Sequence, residues 1–319
     1  MKTLADIKKI AVLGAGTMGP GIAQTYAMGG YEVTMWTRSE STRDKVLVSL
    51  KSQLDTFEEE GLLTESKDAI MNRISFALTV EEAVEGADFI QETIVEKRDA
   101  KEVLYAQLAA CVPSDVIIAS NTSALNIFEV VPEQLLPQMI ICHWYAPPHV
   151  IPLVEVVKSE VAPQEYADIA VTMLNNCGKT AVFMKKFIKG YIVNRLQQCL
   201  NQEVFYLLDN GYCDAEAIDL AAKASFIPRA CVLGLCKRMD FGGVDMTFNN
   251  FKNKSYAAPQ WDNPPTTLQT LVDANKLGIK TGEGFYSYEG VDMEALKAKR
   301  DKQLFEIFNV TKKFMADPV

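Results

Sequence analysis

The stretch Gly14–Glu40, GAGTMGPGIAQTYAMGGYEVTMWTRSE, decides the fold. Gly14, Gly16 and Gly19 follow an apolar run from Ile7 to Leu13 and precede a helix pattern from Met18 to Met28. A dinucleotide-binding G-x-G-x-x-G needs this setting: a tight turn at the first glycine, close backbone approach to a pyrophosphate at the second, helix packing at the third. Backbone N–H groups at Thr17, Met18 and Gly19, with the helix dipole, then face the phosphates. A second strand pattern covers Glu32 to Thr37, and at its end such folds usually place an acid for the adenosine ribose. This chain has Thr37, Arg38 and Ser39 there, with Arg43 one helical turn beyond. A guanidinium and small hydroxyls suit a 2′-phosphate through charge-assisted hydrogen bonds, which leans the reading toward NADP over NAD. The alternative is a solvated Arg38 and NAD as cofactor.

Working outward, a polar amphipathic stretch from Ser41 to about Asn72 reads as a helical insertion. Strand patterns recur at Ile74–Leu78, Phe89–Thr93 and Val116–Ser120, with a helix at Arg98–Ala110. Such alternation predicts an α/β fold with a parallel, doubly wound sheet. Two more strands, Met139–Trp144 and Leu153–Val157, flank APPHVIP, where Pro147, Pro148 and Pro152 forbid helix. A helix at Gln164–Asn176 and a strand at Thr180–Met184 complete the first domain. From Tyr191 the pattern is mostly helical, and Asn210-Gly211 stops its first long helix. The boundary falls near Phe187, giving a dinucleotide-binding domain over 1–187 and an all-helical substrate and dimerisation domain over 188–319. Its last segment, Asp292–Phe314, reads as a solvated amphipathic helix.

The 319 residues are 48% hydrophobic and 23% charged, which fits an ordinary two-domain globular protein. A net charge of −9 argues against nucleic-acid partners and anionic membranes, and charged or polar residues interrupt every apolar run before a membrane-spanning length of ~18. The opening MKTLADIKKIAVLG lacks an apolar core and a small-residue cleavage site, predicting a cytoplasmic location. Seven cysteines, at 111, 142, 177, 199, 213, 231 and 236, form no C-x-x-C pair and do not cluster with histidine. They predict buried reduced thiols and no metal site.

The chain contains two histidines, His143 and His149. His143 lies near the end of one apolar strand, and Glu155 lies twelve positions on, between Val154 and Val156 in the next. Oxidising a secondary alcohol needs a base for the hydroxyl proton, and imidazole, with an ordinary pKa of about 6.5, suits that task near neutrality. A carboxylate on the second ring nitrogen fixes the tautomer and stabilises the imidazolium. Other readings stand beside this one: His143 as a structural strand-end residue, Glu155 as the partner of a lysine, His149 as solvent-facing or on a pocket rim.

Six ordered elements, GAGTMG, AVEGADFIQETIVEKRDAK, SNTSAL, CHWYAPPHVIPLVEVV, GYIVNRL and GIKTGEGFYSY, together resemble the 3-hydroxyacyl-CoA dehydrogenase family, including its lambda-crystallin and L-gulonate dehydrogenase branch. The likeness runs from about Ile7 to Tyr288. It implies an N-terminal Rossmann-type domain with a helical-hairpin insertion, a helical C-terminal domain that forms a homodimer, and reversible NAD(P)-dependent hydride transfer between a 3-hydroxyacyl substrate and its 3-keto form. By the same resemblance His143 is the base, Glu155 its orienting partner, and Ser123 and Asn194 hydrogen-bond the substrate oxygen. Glu96, Lys101 and Lys280 match cofactor-contacting positions. Read without the resemblance, Ser123 is a helix cap, Asn194 a mid-helix polar residue facing another helix, and the other three surface charges.

Three places depart from the family pattern. His143-Trp144-Tyr145-Ala146-Pro147 stands where H-F-x-N-P is usual, so an amide is missing. The insertion reads DTFEEEGLLTE over 55–65, a poor host for the phosphates of CoA unless those acids merely solvate a helix. In SFIPRACVLGLCKRMDFGG, Arg229 could clamp a substrate carboxylate or serve as a structural ion-pair partner. Two substrate classes follow: a CoA thioester, which the family resemblance favours, and a free hydroxy acid, gulonate- or carnitine-like, which the acidic insertion and Arg229 favour. A non-catalytic, crystallin-like nucleotide-binding protein is the rival from another class.

Overall fold

A computed structural model of the chain describes residues 2–254 and 258–318. It separates into two compact units, Met1–Ile192 and Val193–Val319.

The first unit runs β1 (Lys9–Leu13), α1 (Gly19–Met28), β2 (Glu32–Trp36), α2 (Glu40–Glu59), α3 (Lys67–Asn72), β3 (Ile74–Ala77), α4 (Val80–Val84), β4 (Phe89–Glu92), α5 (Arg98–Cys111), β5 (Ile117–Ser120), β6 (Met139–Trp144), β7 (Leu153–Lys158), α6 (Gln164–Asn176) and β8 (Thr180–Phe183). Side-chain caps set several helix starts: Ser39 accepts from Thr42 N, Ser66 from Ala69 N, and Thr79 forms a capping box with Glu82. The strand order is β3-β2-β1-β4-β5-β6-β7-β8, and β1 to β6 pair in parallel. This is the doubly wound arrangement, with its order reversing at β1 beside the glycine loop.

The parallel pairing expected from the sequence runs through β6. β7 returns antiparallel, and β8 pairs parallel to β7. Residues 145–152 are too few for a crossover, which takes a dozen or more, so the chain must turn back as a hairpin. Alternate strand residues feed two cores: Ile10 and Val12 join one with α1 and α6, while Ala11 and Leu13 join the other with α4 and α5.

The second unit consists of α7 (Val193–Asp209), α8 (Ala215–Ala221), a π-helical turn (Ala222–Phe226), α9 (Ile227–Leu233), α10 (Leu235–Gly242), α11 (Val244–Lys252), α12 (Thr266–Asp273) and α13 (Met293–Ala316). Among its described residues Phe305 is the one buried side chain, whereas Phe241, Phe248 and Phe251 are exposed. No helix among the described residues is long and apolar enough to cross a membrane. The seven cysteines are free, but only Cys142 is fully buried, and Cys111, Cys199 and Cys236 are exposed. Burial as a class therefore fails for them, because three lie on helix faces left exposed among the described residues.

Candidate active site

His143 and Glu155 are direct partners in the antiparallel β6–β7 register. Directly opposed residues place their side chains on one face with Cβ atoms ~4.5–5.5 Å apart, so twelve positions of sequence collapse into a contact. His143 Nδ1 stands 3.0 Å from Glu155 Oε2, and both side chains are buried. An ionised carboxylate only accepts, so Nδ1 carries the proton and Nε2 is left as the acceptor. Glu155 Oε1 accepts from the Ile192 backbone N–H at 2.9 Å, and Oε2 also accepts from the Tyr145 hydroxyl at 2.7 Å.

Two tyrosines enclose the imidazole. Tyr191 stacks on it, with centroids 4.3 Å apart and planes 20° apart, and Tyr145 meets it edge-on at 4.7 Å. Tyr191 has φ +50°, a left-handed conformation costly for an aromatic residue, and its hydroxyl donates to Thr122 O at 2.6 Å. Burial, followed by the nearby carboxylates of Glu96, Glu155 and Glu92, pushes its phenol well above the ordinary tyrosine value.

The same unit holds an ionic network that is buried at Glu92 and Lys101 and exposed at Glu96. Glu92, at the C-terminal end of β4, accepts from Lys101 Nζ at 2.6 and 2.7 Å, from Tyr105 at 3.0 Å and from Ser120 at 2.6 Å. Glu96 Oε1 gathers the Thr122 hydroxyl and the backbone N–H groups of Ser123, Ala124 and Leu125 at 2.6–3.1 Å, with its other oxygen 3.5 Å from Lys101. Burial pushes the Glu96 carboxyl up, but the hydrogen bonds from Thr122, Ala124 and Leu125 and the Lys101 charge outweigh it and hold it below its ordinary value.

Several expectations for this network change. Lys101 is fully buried, neither a surface charge nor open to a ligand, because its ammonium is enclosed by Glu92 and Glu96. Ser123 caps no helix; the segment after it is a loop whose N–H groups Glu96 has taken, leaving the Ser123 side chain exposed. His149 is half-buried: its ring lies near Phe57 and against Gly21, where a Cβ would meet Nδ1 at 2.7 Å.

The glycine loop fits a dinucleotide. A Cβ on Gly14 (φ +128°) would stand 2.6 Å from Thr93 O, and one on Gly19 would stand 1.9 Å from Gly14 O, so packing alone requires both. Gly16 faces open space, with nothing within 4 Å of a Cβ, and Thr17 beside it is exposed. Met18 offers no side-chain cap to α1, which leaves first-turn N–H groups for an anion. At the end of β2, Thr37 is buried and its Oγ1 lacks a hydrogen-bond partner, so its hydroxyl is no exposed donor. Ser39 is engaged as the α2 cap, and Arg43 pairs with Asp44 at 3.1 Å. Arg38 remains: exposed, 5.9 Å over the Trp36 ring, and in no ion pair among the described residues.

In the second unit Asn194 lies in the first turn of α7 rather than mid-helix, since the helix starts at Val193. Arg229, exposed on α9, donates to Ser225 O at 3.3 Å and forms no ion pair among the described residues. Lys280 is exposed at the wall of a cavity of about 580 Å³ lined by Leu208, Ile218, Leu268 and Phe285. Sequence reasoning passed over Tyr145, Tyr191 and Glu92. Glu92 carries the signal that marked Glu155, an acid within an apolar strand; the tyrosines carry none, because aromatic residues beside a strand end read as core.

Comparison with known proteins agrees with this architecture. Residues 9–187 match the family model "3-hydroxyacyl-CoA dehydrogenase, NAD binding domain", and residues 190–288 match "3-hydroxyacyl-CoA dehydrogenase, C-terminal domain". The chain is 36% identical over 287 residues to the "Probable 3-hydroxybutyryl-CoA dehydrogenase" of Bacillus subtilis, covering 89% of this chain and 98% of that one. It is 30% identical over 305 residues to the 5-formyl-3-hydroxy-2-methylpyridine 4-carboxylate 5-dehydrogenase of Mesorhizobium japonicum, covering 94% and 97%. A crystal structure of a dehydrogenase of that name, described as an NAD+-dependent dismutase, superposes with a TM-score of 0.85 at 26% identity, covering 96% of this chain and 99% of that one. With both family domains matched in order around a buried histidine–glutamate pair, the chain belongs to the 3-hydroxyacyl-CoA dehydrogenase family.

Proposed function

We propose that the chain is a nicotinamide-dependent oxidoreductase that interconverts the secondary alcohol of a 3-hydroxyacyl-type substrate and its 3-keto form, with His143 as general base. The buried His143–Glu155 pair carries this reading. In the oxidative direction Nε2 takes the hydroxyl proton, and Glu155, fixed on Nδ1, stabilises the imidazolium that results. In reduction the same nitrogen returns the proton. Ser123 and Asn194 hold the reacting oxygen. Glu96, which gathers the Ser123 loop, is a proposed cofactor contact, and Lys101 supports Glu96 from the buried side. Gly14, Gly16, Thr17, Met18 and Gly19 would hold the cofactor pyrophosphate, and Lys280 is a further proposed cofactor contact; a nicotinamide bound there would supply the hydride chemistry. Location in the cytoplasm belongs to the same proposal.

Arg38 supports NADP over NAD, since its guanidinium is exposed and unpaired where family folds carry an acid for the ribose. Apparent affinities for both cofactors, measured for the wild type and Arg38→Ala, test this. A selective loss of NADPH binding is expected, and an unchanged preference would remove the argument.

A specific observation favours a second substrate class, a free hydroxy acid. In the insertion, Lys67 is held between Asp55 at 2.6 Å and Glu58 at 2.8 Å, so this cation is neutralised. Arg229 would then meet the substrate carboxylate. Similarity to a pyridine-carboxylate dehydrogenase supports the same reading. Assaying 3-hydroxybutyryl-CoA against 3-hydroxybutyrate, carnitine and gulonate separates the classes; turnover of the thioester alone would dismiss the free acid. Binding of cofactor with no turnover across the panel would favour a non-catalytic role.

A further inference from the structure

Resting on the reading of His143 as the base, we infer that Tyr145 is a positioning residue that sets the pH range of the reaction by sharing the carboxylate oxygen that serves His143. Its hydroxyl donates to Glu155 Oε2 at 2.7 Å, and His143 Nδ1 meets the same oxygen at 3.0 Å. The other oxygen, Oε1, is engaged by the Ile192 N–H. The two donors on Oε2 therefore compete for one concentration of charge.

A carboxylate raises the basicity of an imidazole in proportion to the charge it presents to Nδ1–H. A hydroxyl donating to that oxygen draws off part of that charge and weakens the stabilisation of the imidazolium. Removing that hydroxyl would return the full charge to Nδ1–H, so an imidazolium is held more strongly in Tyr145→Phe than in the wild type. The edge-on packing of the Tyr145 ring on His143 fixes the geometry of this competition.

Among the described residues, the titratable groups packed around the pair are engaged elsewhere or face away. On β6, Cys142 points to the opposite face and burial pushes its thiol up. Tyr191, covering the imidazole, is also pushed up, and its hydroxyl is engaged by Thr122 O. Glu92 and Lys101 form a closed ion pair, and Glu96 is held below its ordinary value. From β8, the residue beside Glu155 is Val182, and from the loop after β5 Asn121 bonds the Trp144 N–H; neither titrates.

The test uses the full chain labelled with [13Cε1]histidine. With two histidines in the sequence, His149→Gln assigns the His143 signal. Tyr145→Phe keeps the ring and removes the donor. The His143 titration midpoint is expected to rise by about 0.5–1 pH unit, the scale of one hydrogen bond to a charged group shared between two protonation states. In a Glu155→Gln background the same substitution is expected to produce no rise, since the effect travels through the carboxylate. An unchanged or lowered midpoint in Tyr145→Phe overturns the inference, as does an equal rise without Glu155. The acid limb of kcat/KM for alcohol oxidation follows the same shift. Because the titration needs neither substrate nor cofactor, a midpoint that moves while His143→Ala retains turnover would reject the general-base reading alone.

Discussion

His143 is expected to carry proton transfer, and His143→Ala to lower kcat by about 10²–10⁴ in a steady-state assay, the usual contribution of a positioned general base. Retained turnover would reject its role. Lys101 is a different kind of residue: buried against Glu92, it neutralises an acid that would otherwise be stranded at a strand end. Lys101→Met is expected to cost roughly 3–5 kcal/mol in urea unfolding, since removing one partner of a buried pair leaves the other charge uncompensated. Glu96 gives stability a pH dependence. Its carboxyl lies below the ordinary 4.5 in the folded state, so its contribution is present above that value and lost as pH falls through the lower folded value. Glu96→Gln should therefore weaken the protein at about pH 7 and much less at about pH 3, read from urea midpoints; an equal loss at both would contradict the assignment.

Among the elements, the loop between β1 and α1 separates packing from binding. Gly19→Ala drives a Cβ into the Gly14 carbonyl and is expected to cost at least ~1–3 kcal/mol, the range for overpacked sites. Gly16→Ala meets nothing within 4 Å among the described residues, so the urea midpoint should hold while NADH and NADPH titrations weaken. Equal destabilisation by both would mean that the second glycine is structural. The β6–β7 hairpin acts at the same scale: its short connection forces antiparallel return, and that register, rather than any local signal, opposes His143 to Glu155.

For the whole molecule, the helical unit covers too little of its own apolar surface. Phe241, Phe248, Phe251 and Leu220 are exposed, and Phe305 is the one buried side chain among its described residues. A second copy of the chain is the proposed cover, and light scattering is expected to return twice the mass of one chain; a monomer at micromolar concentration would refute it. The α/β class was legible from the sequence because it rests on local facts: three glycines between an apolar run and a helix pattern, and alternating strand and helix periods after them. The candidate base and its carboxylate stood out as polar residues in apolar strands, but spacing alone also suited a structural histidine, and it was the resemblance that marked them as a pair. The antiparallel return at β7, the burial of Lys101, the loop gathered by Glu96 and the tyrosines around His143 belong to the tertiary structure alone. Each depends on which face a side chain takes and what packs over it, and that is fixed only when strands distant in sequence pair in register and exclude water between them.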